Sequence, residues 1–378
     1  MTHLALQLPE IVSNIVSFLF IPNMTSDDLS KSTKTNEAYE CLFINRLWND
    51  CTNRILYRKV VFADTKYNFD SLLKFTNTLM DDMDDAMLHP VTIPPFDIDY
   101  SPSQSSSTST ITSIQTPTDS YFLQPPNTIT RVQIYRNSLK QLSLYKIKEK
   151  NINEILIKLG HQCKNIQKLT IYICDHFQKD TLYAFLWHKS LVYLSLAGCH
   201  RISDDAIIKV AEQCPYLEHL DLRACSQVSD TSLSQIAMQC TRLKHLNVGR
   251  VRDREKVTIK SVGLIAKYTQ VSVLGLAGCD IDDECLEMIA KNRHSSLERI
   301  SANSCTKISN KSIYALITYC KNLSVFEMKD CHLVNNWEAV SQLVKRQVLL
   351  TLCEQQVKAC EEWSKITGKV LDVKSPLK

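Results

Sequence analysis

The sequence predicts an α/β solenoid of about eight strand–helix units, preceded by a small helical domain. Three observations carry this. An apolar pattern, L-x-x-L-x-L-x-x-C, returns at a near-constant interval. Each return is followed by apolar residues at helical spacing. The first 62 residues lack the pattern and carry two amphipathic stripes instead.

The repeat is clearest in Leu191, Leu194, Leu196, Cys199 and in Leu217, Leu220, Leu222, Cys225. Leu243, Leu246, Val248 follow, with Val251 where the cysteine belongs, then Val271, Leu274, Leu276, Cys279. Leu297, Ile300, Ala302, Cys305 and Leu323, Phe326, Met328, Cys331 complete the run. The steps are 26, 26, 28, 26 and 26 residues. Upstream, Ile166, Leu169, Ile171, Cys174 fit, and Leu139, Leu142, Leu144 fit loosely. A period of this length marks stacked units that cover one another's apolar faces. The alternating L-x-L core reads as a short strand, and Ala206, Ile207, Val210, Ala211 as a helix face. Ser203-Asp204, Ser229-Asp230, Asp282-Asp283 and Ser309-Asn310 stand where side-chain oxygens cap helix N-termini. One strand and one helix per unit make a leucine-rich-repeat horseshoe.

The 15 cysteines follow the repeat rather than a ligand pattern. No C-x-x-C pair occurs, so zinc-type spacing is absent. Equivalent cysteines on neighbouring parallel strands lie about 4.8 Å apart and point the same way, which suits packing better than a disulfide. Cys163, Cys214, Cys240 and Cys320 form a second ladder, each three residues before its unit's first apolar position. All are expected to be small buried hydrophobes. With no secretory signal read at the N-terminus, reduced thiols place the chain in cytoplasm or nucleus. The sequons at Asn23, Asn310 and Asn322 are then accidental.

Residues 1–62 carry "LQLPEIVSNIVSFL" and "CLFINRLWNDCTNRILYRKVVF". Leu8-Pro9-Glu10 starts a helix with Ile11, Ile15 and Leu19 on one face. Cys41, Ile44, Trp48 and Cys51 make a second stripe. The L-P-x-E-I start, C-x-x-x-N-R-x-W middle and L-Y-R-x-V-x-F end resemble the F-box. The long polar connection from Phe20 to Tyr39 departs from that pattern. Repeats with cysteine at the ninth place resemble the cysteine-containing leucine-rich-repeat subclass, which often follows an F-box. The resemblance implies that Leu8, Pro9, Ile11, Ile15, Leu19 and Trp48 dock on a Skp-type adaptor, with a cullin beyond it.

Residues 63–128 read as a connecting helix and a linker. Seven of the 11 prolines lie between Pro90 and Pro126, and Ser and Thr crowd Ser101–Thr118. Such a stretch cannot bury enough surface to fold. Asp81, Asp82, Asp84 and Asp85 form a solvated helix end, and Ser101-Pro102 and Thr116-Pro117 fit proline-directed phosphorylation. Residues 129–378 hold the repeats, and Leu349, Leu350, Leu352, Val357 and Trp363 suit a terminal strand and cap.

Strand side chains between the buried leucines face the concave side. They include Tyr172, Tyr193, His219, Arg223, His245, Arg250, Arg299 and Asn303, an Arg-and-aromatic mixture typical of binding surfaces. The fifth unit is two residues longer and carries "GRVRDREKVT", with Arg250, Arg252 and Arg254. That run reads as a solvated turn or as a basic prong for an acidic or phosphorylated segment. "LNVGR" followed by "VTIKSVGLIAKYTQVSVLGLAGCDIDDECLEMIAKN" resembles the antagonist of mitotic exit network protein family. The resemblance implies a negative regulator of mitotic exit and cell separation that binds or presents a protein partner.

These features predict a substrate receptor of a Skp–cullin–F-box ubiquitin ligase, with a non-catalytic occluding inhibitor as the alternative. G-x-S-x-G, H-E-x-x-H and a phosphate loop are absent, so no catalytic residue, cofactor or metal is expected. A net charge of +4, from 44 basic and 40 acidic residues, demands no nucleic acid. No stretch long and apolar enough to span a membrane is present.

Overall fold

The computed structural model describes residues 4–19, 39–63, 68–80 and 130–376. The acidic run at Asp81–Asp85, the Ser/Thr-rich stretch and both Ser/Thr-Pro sites lie outside them.

Ten parallel strands form a single sheet in sequence order. They are β1 (Lys59–Ala63), β2 (Gln141–Tyr145), β3 (Lys168–Tyr172), β4 (Tyr193–Ser195), β5 (His219–Asp221), β6 (His245–Asn247), β7 (Val273–Gly275), β8 (Arg299–Ser301), β9 (Val325–Glu327) and β10 (Leu349–Thr351). The order admits no crossover, because each unit pairs only with its neighbours. Leu142, Leu169, Leu194, Leu220, Leu246, Leu274, Ile300, Phe326 and Leu350 fall in one in-register row. A single apolar core runs from Phe62 to Cys360. The strand–helix solenoid predicted from the period is thus the fold.

The sheet is longer than about eight units. The additional strands are β1 and β10. β1 comes from the L-Y-R-x-V-x-F end of the F-box-like motif, and it pairs with β2 from Lys59↔Gln141 to Ala63↔Tyr145. The helices Asn68–Met80 and Arg131–Ser138 flank the residues between β1 and β2. Leu72 and Leu79 are fully buried, Tyr57 stacks on Tyr135 at 4.1 Å, and Arg136 Nε donates to the Leu79 carbonyl at 2.6 Å. The helices Asn68–Met80 and Arg131–Ser138 thus belong to the first unit, and the first strand follows directly from the N-terminal helices. At the other end, the helix Glu354–Thr367 follows β10. The chain then returns so that Leu350 N donates to the Lys374 carbonyl at 2.9 Å, occupying the free edge of the last strand.

Two features of the units explain their sequence. The eighth residue of the unit is left-handed before each ninth-place cysteine, at Ile173, Gly198, Ala224, Gly278, Ser304 and Asp330, and likewise at Lys146 before Ile147. This turn swings the next side chain inward. All 15 cysteines are free thiols, and all but Cys353 are buried. They do more than fill space. Cys199, Cys225, Cys279, Cys305 and Cys331 donate S–H to the carbonyls of Ile171, Leu196, Val248, Leu276 and Ala302, at 3.1–3.6 Å. Each acceptor is the sixth position of the preceding unit.

The helix caps also link units. Ser229, Thr258 and Ser309 each accept the second backbone N–H of their own helix. The Asp that opens one helix reaches the cap of the next. Asp204 accepts from Ser229, Asp230 from Thr258 and Ser261, and Asp283 from Ser309 and Ser312. Ser203 departs from the expected pattern: its side chain makes no cap bond and donates to Asp205 instead, while Asp204 still reaches the next unit.

The N-terminal helices Pro9–Leu19 and Arg46–Leu56 pack on a separate four-residue core of Val12, Val16, Cys41 and Cys51. Asn45 of the N-R-x-W motif caps the second helix, accepting from Trp48 N at 3.1 Å.

Candidate functional site

Strand period and register lay three rows of side chains across the concave face. One row runs Lys168, Tyr193, His219, His245, Val273, Arg299, Val325. The next runs Ser195, Asp221, Asn247, Gly275, Ser301, Glu327. The third runs from Tyr172, at the end of β3, through Ala197, Arg223, Gly249, Ala277, Asn303 and Lys329, each two residues past its strand.

Tyr193, His219 and His245 form a continuous stack, with ring centroids 3.9 Å apart at both steps. Stacking covers the rings. Burial, then the neighbouring His245, pushes His219 down from 6.5 to about 4. Burial is also the largest cause lowering His245. Both imidazoles are neutral at physiological pH, so the stack is an uncharged wall.

Two ion pairs flank the middle of the face. Arg223 Nη2 meets Asp221 Oδ2 at 2.7 Å, and Arg223 Nε lies 3.0 Å from Asp221 Oδ1. Arg299 pairs with Glu327, whose other oxygen accepts from Asn303 at 3.2 Å. In each pair the carboxylate is covered, at 7% and 15% side-chain exposure, while its arginine is about half exposed, at 53% and 43%. Between the pairs all three rows become small, at Val273, Gly275, Gly249 and Ala277. The result is an open cavity of about 600 Å³.

The structure brings Tyr193, His219, Arg223, His245, Arg250, Arg299 and Asn303 to this one cavity. Tyr172 lies beyond its lining, tilted against Tyr145 at 6.0 Å. Sequence reasoning missed the floor. Its signal was available as the run of small residues at outward positions of the fifth and sixth units. It also missed Val251, which lines the cavity at 90% exposure.

The basic prong is corrected. Arg250 is buried at 6% exposure and donates to the carbonyls of Val248, Asp253 and Val228. Arg254 donates to those of Gly278 and Ser304, and Lys256 to that of Ser226. Guanidinium groups satisfy several carbonyls at once, and turns beside left-handed residues leave such carbonyls without ladder partners. Of the three arginines only Arg252 is directed outward. The longer loop of the fifth unit is a staple that reaches the fourth, sixth and seventh units.

The expected adaptor face also changes. Trp48 packs against the helix pair's own core, and Ile11 and Ile15 are half-buried. Leu8, Pro9 and Leu19 are exposed, joined by Phe18 at 75%, Phe43 at 86% and Ile44 at 55%.

Among the described residues, no group of three or more His, Cys, Asp or Glu could hold a metal ion, and no helix is long and apolar enough to cross a membrane. The fold is a leucine-rich-repeat type solenoid with a ladder of buried cysteines. The chain's homologues across yeasts are named Antagonist of mitotic exit network protein 1. That of Yarrowia lipolytica is 42% identical over 172 residues, 44% of this chain and 24% of that protein. Those of Saccharomyces cerevisiae and Candida glabrata are 26% and 28% identical over 344 and 338 residues, covering 88% and 87% of this chain. The chain spans 52% and 55% of these two relatives, about half their length. No family model matches. Among solved structures, the crystal structure of the Rad7 and Elc1 complex in yeast aligns at TM-score 0.45 and 16% identity, over 60% of this chain and 63% of that one.

Proposed function

We propose that this chain antagonises mitotic exit as the substrate receptor of a Skp–cullin–F-box ubiquitin ligase, in the cytoplasm or nucleus. The regulatory role is taken from the name its yeast homologues share. The receptor role rests on one observation. Among the described residues, the N-terminal helices and the turn Cys41–Phe43 bury a core of four residues while Leu8, Phe18, Leu19, Phe43 and Ile44 are exposed. A monomeric domain this small rarely leaves such an apolar surface without a partner. An amphipathic adaptor of the Skp type is a partner suited to it.

In this reading the chain supplies no catalytic group. The concave face holds the target, and the adaptor and cullin bring a charged ubiquitin carrier to it. The rate gain comes from effective concentration. The alternative, an occluding inhibitor, needs only the concave face.

Substituting Phe18→Asp and Phe43→Asp together touches no described core residue and separates the two readings. A receptor loses co-purification of Skp adaptor and cullin from cells, and its target becomes long-lived. An occluding inhibitor keeps its antagonism, and that result would discard the ligase role.

A further inference from the structure

We propose that the cavity over β5–β8 receives an extended acidic segment of about five residues whose single bulky apolar side chain seats between Val251 and the floor formed by Asn247 and Ala277. This deepens the receptor reading and rests on its assignment of the concave face to the target.

The first ground is shape. The sides of the cavity are tall and fixed: the Tyr193–His219–His245 stack on one, the Arg299–Glu327–Asn303 cluster on the other. Its floor is formed by the Asn247 side chain, which fills the space over Gly275, where a Cβ would lie 2.4 Å from Asn247 Cγ, and by Ala277, which carries only a methyl. Strands about 4.8 Å apart set the distance from β5 to β8 at about 14 Å, which an extended chain covers in four to five residues.

The second ground is Val251. It takes the place at which other units bury a cysteine, yet it is 90% exposed. The loop that holds it is pinned. Arg250, Arg254 and Lys256 reach carbonyls in the units before and after it. An apolar side chain held outward on a pinned loop loses little entropy on contact, which is the property of a binding anchor.

The third ground is charge. Arg223 and Arg299 are offset by Asp221 and Glu327, so the surplus positive charge comes from Arg250 in the lining and from exposed Lys168, Arg252 and Lys329 outside it. The face therefore selects an acidic segment. The same pairing argues against a phosphate. Arg223 and Arg299 already donate to carboxylates, and a doubly charged phosphate is best held by guanidinium pairs that are free to engage it.

Three fluorescent nine-residue probes test this against the full chain by polarisation. Each carries a central Phe, flanked by Glu, by phosphoserine or by Lys. The Glu probe should bind tightest and the Lys probe should not bind. Val251→Asp should weaken the Glu probe about tenfold or more, equivalent to about 1.4 kcal/mol. Its unfolding midpoint should stay unchanged, because Val251 packs on nothing. Tighter binding of the phosphoserine probe, binding of none, or a Glu probe indifferent to Val251→Asp would overturn the proposal. Co-purification of Skp adaptor with Val251→Asp reads the ligase role separately, since that substitution lies far from the N-terminal helices.

Discussion

Gly278 is the position where one added methyl should do the most damage. It sits at φ +69°, in the left-handed turn before Cys279. Handedness alone does not demand glycine there, since Ala224, Ser304 and Asp330 hold the same turn at φ 58°–60° in their units. The demand comes from the neighbouring unit. A Cβ on Gly278 would lie 1.9 Å from the carbonyl oxygen of Arg250. Ordinary contact begins near 3.4 Å, so one backbone must retreat. The Arg250 peptide is poorly placed to do so. Its N–H donates to Ala277 O at 2.8 Å, and its side chain holds the Val228 and Asp253 carbonyls at 3.1 Å each. Breaking two or three such bonds costs about 1 kcal/mol each. The left-handed strain of an alanine adds about 1–2 kcal/mol. Gly278→Ala should therefore destabilise by about 3–5 kcal/mol. Gly368→Ala is the internal reference. Gly368 has the same handedness, at φ +67°, with nothing within 4 Å of its Cβ site, and its replacement should cost only the strain of about 1–2 kcal/mol. Urea denaturation of both variants, followed by tryptophan fluorescence, measures the difference. A gap below about 1 kcal/mol would show that the loop yields freely, and the pinned-staple account would fall with it.

Three further outcomes are expected. Burial pushes Cys163, Cys214, Cys225, Cys240, Cys279 and Cys331 up to about 12, so native protein at pH 8 should resist iodoacetamide there. Half-exposed Cys353 should label first by mass spectrometry. Lowered histidines bind protons more readily when unfolded, so stability should fall as pH drops from 6.5 towards 4, through the His219 window. His219→Phe should flatten that part of a pH-dependent unfolding profile. Asp230→Ala removes the acceptor of Thr258 N, Thr258 Oγ1 and buried Ser261 Oγ, and should cost about 2–4 kcal/mol in urea unfolding. Asp205→Ala, with its carboxylate on exposed Lys179, should cost less than about 1 kcal/mol.

Much of this molecule was legible in its residues because its interactions are local or repeat at a constant interval. Leu194 and Leu220 meet because each stands at the same point of successive units, and a 26-residue step says so. The caps at Ser229 and Ser309 were readable for the same reason, as was the burial of Cys199 and Cys225. That the L-Y-R-x-V-x-F segment supplies the first strand of the sheet was not legible, because the repeat pattern is absent there. Only its pairing with Gln141–Tyr145, across an intervening stretch of 77 residues, places it in the sheet.

The basic loop shows where reading from residue types stops. Arg250, Arg252 and Arg254 are equivalent as letters, and spacing placed all three beside the concave face. Their carbonyl acceptors, at Val228, Gly278 and Ser304, lie 22 to 50 residues away and come into reach only when the units stack. A guanidinium goes to whichever acceptors the backbone leaves unpaired, and backbone pairing is a property of the assembled sheet. The amino-acid order set the period, the caps and the greasy face. Which arginine stayed exposed, and that Val251 was turned outward beside it, was settled by contacts between units that no single unit contains.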